Sequence, residues 1–92
     1  MIPLDAQRAW ESAYRLYAEA SETARGADVD PLHVGQMIAS TSWEVAESWR
    51  AMATTAGLPW CVVAALHAAA AAFEDQAHEW SRVDRYRGGG PR

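Results

Sequence analysis

The chain has 92 residues, a formal net charge of −4 and an apolar half, which is enough for one domain with a single thin core. Twenty of the apolar residues are alanine and 26 are larger, so the core must rely on close alanine contacts, a few large aromatics, or burial against another chain. All eight basic residues are arginine, and Arg82, Arg85, Arg87 and Arg92 crowd the last eleven positions against one acid, Asp84, leaving a body of −7. Such a body repels phosphates, so nucleic acid is not an expected partner; the arginines suit the negative end of a helix dipole instead.

Glycine and proline divide the chain into three predicted helices, with no alternating strand pattern. The first covers 4–25 and is expected to end on Gly26 as a left-handed cap. Trp10, Tyr14, Tyr17 and Ser21 share one side of it, widened by Ala6, Ala9, Ala13, Leu16 and Ala20.

The second helix, 30–56, has Asp30 as N-cap, Pro31 in its first turn and Gly57 as its stop. Val34, Ile38, Thr41, Val45, Trp49, Met52 and Ala56 fall within about 80° of arc and form its expected core stripe. Gln36, Ser40, Glu47, Arg50 and Thr54 form the opposite side, with Trp43 among them.

A Gly57-Leu58-Pro59 corner leads into the third helix, 59–86. So short a connection makes the second and third helices neighbours in a hairpin or sharp corner. Val62, Leu66, Ala69, Phe73, Ala77 and Trp80 are its core stripe, while Trp60, His67, Ala71, Glu74, His78 and Arg85 line another about 120° to 140° away. Cys61 shares a third face with Ala65, Ala68 and Ala72, where it reads as a small apolar residue in a close helix contact. The expected architecture is an all-α three-helix bundle over 1–87, with 88–92 a disordered tail.

The longest apolar run, Leu58 to Phe73, has seven alanines among its sixteen residues, is interrupted by His67 and is too short to span a bilayer. A lone cysteine and no apolar leader point to the cytoplasm. No phosphate-binding glycine loop, zinc-type cysteine pairing or nucleophile elbow is present, so neither an enzyme nor a cofactor is expected.

Three functional readings follow. The first is an interaction module that binds itself, as a homodimer, or another protein. Trp43, Trp60 and His67 are its contact residues, because large aromatics on polar helix faces mark contact surfaces. The second is a ligand- or metal-binding bundle using His67, Glu74 and His78, which recur on one helix face as imidazole and carboxylate ligands do in metal-binding bundles. The third is a degenerate helix-turn-helix from Trp49 to Ala68. Ala53 precedes Gly57 by four residues as in that motif, but the following helix offers base edges His67 and no Arg, Lys, Asn, Gln, Ser or Thr.

Overall fold

A computed structural model describes residues 2–26 and 30–89, with side chains described as far as Arg82. It is an all-α three-helix bundle: α1 is Leu4–Ala24, α2 is Pro31–Ala53 and α3 is Trp60–Gly89. The start of α2 is the one the sequence predicts, with Asp30 Oδ1 accepting the Leu32 N–H at 3.1 Å and Pro31 in the first turn. The C-terminal ends of α1 and α2 differ from expectation. Gly26 does not adopt a positive φ; its N–H bonds the Thr23 carbonyl at 3.0 Å, so α1 closes in a tightened last turn. Helix α2 stops at Ala53 rather than near 56, because Thr54 turns its hydroxyl back onto the Ala51 carbonyl at 2.7 Å and competes with the helix.

Gly57 then reverses the chain at φ +83°, a conformation that costs a side-chain-bearing residue about 1 kcal/mol or more. The Pro59 carbonyl opens α3 by accepting the N–H groups of Val62 and Val63. At the far end α3 runs past the predicted stop, so Gly88 and Gly89 belong to the helix; 90–92 and the side chain of Arg85 lie outside the described residues.

The helices run up, down and up. Ring contact between Trp10 and Trp49, and packing of Tyr17 and Ala20 against Val34 and Ile38, set α1 antiparallel to α2. Contacts from Arg50 to Glu74, Trp43 to His78 and Gly35 to Trp80 set α2 antiparallel to α3. Helix α2 is central, and among the described residues no Cα of α1 lies within 8 Å of one of α3. The gap is bridged by side chains. Tyr14 and Tyr17 of α1 meet the edge of Phe73 of α3, with ring centroids at 6.4 and 5.1 Å.

Being central, α2 is buried over a wider arc than one stripe. Val34, Ile38, Val45 and Met52 are buried as the spacing predicts, but so are Gly35, Ala39, Ser42, Ala46 and Ser48. Small residues there let α3 lie close; a Cβ on Gly35 would sit 3.4 Å from the Trp80 ring. Ala56, assigned to the stripe by spacing, lies beyond the helix end and is exposed.

At the centre, Ser42 is fully buried. The Gln76 amide divides its two hydrogens between Ser42 Oγ at 2.9 Å and the Tyr17 hydroxyl at 3.0 Å, so one side chain of α3 ties down both other helices. Gln76→Ala should therefore lower stability by about 2–3 kcal/mol, since it removes two hydrogen bonds and leaves a buried hydroxyl without that donor. Ser40→Ala, on the exposed side of α2, should change it by less than about 0.5 kcal/mol. Urea unfolding of the two variants checks the contrast.

Candidate functional site

The alanine-rich third helix packs against α2 and, through Phe73 and Gln76, meets the tyrosines of α1, with the rest of its surface in solvent. Ala70 and Ala77 are fully buried against the bundle, whereas Ala64, Ala65, Ala68, Ala71 and Ala72 are exposed. Cys61 is exposed with them, so the close helix contact expected for Cys61, Ala65, Ala68 and Ala72 is not formed within the chain. Helix α1, the candidate neighbour, is held off by the tyrosines.

Along the outer seam of α2 and α3, Trp60, Ala64, His67, Ala71, Glu74 and His78 follow one another at alternating spacings of four and three residues. That spacing keeps a stripe on one face of a helix. From Trp60 to His78 is eighteen residues, or five whole turns, so both ends share one azimuth about 27 Å apart. Helix α2 contributes Trp43 and Arg50 to the same seam.

Arg50 organises its centre. The guanidinium forks onto Glu74, with Nε to Oε2 at 2.8 Å and Nη2 to Oε1 at 2.7 Å, while Nη1 lies 2.9 Å from His67 Nδ1. Because an arginine can only donate, His67 accepts at Nδ1 and carries its proton on Nε2 in this geometry. The hydrogen bond from Arg50 holds the Glu74 carboxyl below the ordinary carboxylate range. Desolvation opposes it, and the charges of Arg50 and His78 add to it.

Trp43 lies edge-on to His78, with ring centroids 5.1 Å apart at 81°, and is 38% exposed. Trp60 is 82% exposed, in the first turn of α3. The other three tryptophans pack inward: Trp10 and Trp49 against each other, and Trp80 against the cluster of Ala20, Val34 and Ile38. Beside His78 is an open hollow of about 500 Å³ lined by Asp75, His78, Glu79 and Arg82, in which Arg82 pairs with Glu79.

Trp43, Trp60 and His67 thus lie on one continuous face, together with Glu74 and His78. The structure brings His67 and Glu74 together, but through Arg50, whose fork takes up both carboxylate oxygens; His78 goes to Trp43 instead. Among the described residues no three His, Cys, Asp or Glu side chains converge as metal ligands. The sequence reading missed Arg50 as the organiser, since it sits on the polar side of α2 and only the tertiary pairing turns that side toward Glu74. Among the described residues no helix is long and apolar enough to cross a membrane.

The depressed Glu74 ionisation fixes a pH dependence. A carboxyl whose folded pKa lies below its unfolded value stabilises the fold above the ordinary carboxylate pKa, about 4.3 for Glu, and that contribution is lost as pH falls through the folded value. The stability difference between the parent chain and Glu74→Gln should be largest near pH 7 and shrink on acidification below pH ~4. Thermal unfolding across that range measures it.

Compared with protein-family models, with curated proteins and with solved structures, the chain matches none of them.

Proposed function

We propose that this chain is a non-enzymatic protein-docking module whose contact surface is the outer seam of α2 and α3, with Trp60 as principal anchor and Trp43 and His67 as flanking contacts. The carrying observation is the Trp60 side chain, 82% exposed in a protein that packs Trp10, Trp49 and Trp80 inward. Exposed indoles are the side chains most often found as energetic anchors of interfaces, because they exclude water over a large area while losing few rotamers. The organised polar centre fits the same use. A guanidinium already forked to a carboxylate can be covered by a partner without leaving an unpaired charge.

The seam suits a helical partner. Its stripe is straight, about 27 Å long by helix rise, and lined between its ends by alanines that let another helix approach. The exposed free thiol of Cys61 fits a reducing, cytoplasmic setting.

Replacing Trp60 by a photo-activatable phenylalanine derivative, in the cell that naturally makes the chain, tests this reading. Irradiation should give a discrete covalent adduct from position 60, and none from exposed Ala18 on α1. Equal yields from both positions, or none from either, would overturn the reading. At concentrations where the chain is monomeric, Trp60→Ala should leave unfolding stability within about 0.5 kcal/mol of the parent, because a side chain this exposed contributes to partners rather than to the fold.

A further inference from the structure

Resting on that reading, we infer that the occupant of the seam is a second copy of the chain, its α3 antiparallel to the first about a two-fold axis level with Ala69 but on the opposite, outer side of the helix, with Trp60 of each copy seated next to His78 of the other. Two observations carry the inference.

The stripe is self-complementary. Its spacings of four, three, four, three and four residues read the same in both directions. Reversal about Ala69 sets Trp60 opposite His78, Ala64 opposite Glu74, and His67 opposite Ala71, so each larger side chain in the middle faces an alanine. An isologous dimer requires such a pattern, in which the residue met is also the residue that meets.

The receiving position has the chemistry of an indole site. His78 is backed by the Trp43 ring, and the adjoining hollow of about 500 Å³ carries the carboxylates of Asp75 and Glu79 and the guanidinium of Arg82. An indole there finds aromatic edges, acceptors for its N–H, and a cation able to lie over its face. Charge also selects the direction. Parallel, in-register helices would oppose Glu74 to Glu74 and Asp75 to Asp75, whereas the antiparallel pair opposes Glu74 to Ala64.

Nitroxide labels distinguish the arrangements. Labels on native Cys61 should lie about 24 Å apart along the helix axis, and labels on Ala72→Cys, in a Cys61→Ser background, about 9 Å apart along it. Dipolar spectroscopy at micromolar concentration should therefore find a long distance at position 61 and a short one at 72. Short distances at both would mean parallel helices and overturn the inference. Sedimentation should show a dimer whose dissociation constant rises at least about 30-fold in Trp60→Ala; an unchanged dimer would equally overturn it. A chain that sediments only as a monomer would do so too, while adducts from position 60 to a different protein would leave the docking reading standing. Circular dichroism confirms that each variant keeps its helices.

Discussion

A single amide holds together two helices that never approach as backbones. Gln76 reaches from α3 to the Ser42 hydroxyl on α2 and the Tyr17 hydroxyl on α1, in the layer where tyrosine rings keep α1 and α3 apart. The net stabilisation of each hydrogen bond is modest, about 1 kcal/mol, but an unmade bond in a buried layer costs more. The node therefore fixes register. Sliding α3 by one residue would swing Gln76 about 100° away from both acceptors and leave Ser42 buried without its donor.

The layer around it is made of rings. Trp49, Trp10, Tyr14, Tyr17 and Phe73 follow in sequence with centroids 5.1, 5.2, 5.7 and 5.1 Å apart. Such rings supply bulk in a chain whose apolar residues are so largely alanine. The bulk has an expense: the indole N–H groups of Trp10 and Trp49 are buried and meet no acceptor among the described residues, each a cost of about 1–3 kcal/mol. Tryptophan is used there for its volume and not for its donor. The hydroxyls of buried Ser48 and half-buried Thr41 on α2 are better served, since they bond back to the Val45 and Met37 carbonyls of their own helix.

Much of this was legible from residue order. Asp30-Pro31 marks the start of α2 with its cap, the 3.6-residue period picks out Val34, Ile38, Val45 and Met52, and Trp10, Trp49 and Trp80 fall on core stripes and pack inward. What escaped has one cause. Periodicity assumes that a helix has one buried side, and α2 has two neighbours, so Ser42, Ala46 and Ser48 are buried beyond the stripe that the large residues define. The same assumption gave Cys61 and its alanines a partner, although α3 touches only α2 through its backbone. The seam was legible as two separate faces, Trp43 on one helix and Trp60 with His67, Glu74 and His78 on the other. Their union depends on the azimuth at which α2 and α3 meet, which Arg50 and Gln76 set and no local spacing reveals.

An alanine face explains why the chain can leave so much of α3 in water. Alanine carries little apolar area, and at roughly 25 cal/mol per Å² its exposure costs little, so Ala64, Ala68, Ala71 and Ala72 do not force association. Among the described residues of the seam, Trp60 is the large side chain whose hydration is expensive. It stands five whole turns from the place where Trp43 and His78 already form an aromatic wall. At about 27 Å along the helix, that wall is too far away to cover the indole of its own copy. On the proposed docking reading, relief of that exposure comes from a partner. The proposed contact would rest mainly on one ring at each end of the seam, and an interface with so few anchors is readily reversed rather than obligate.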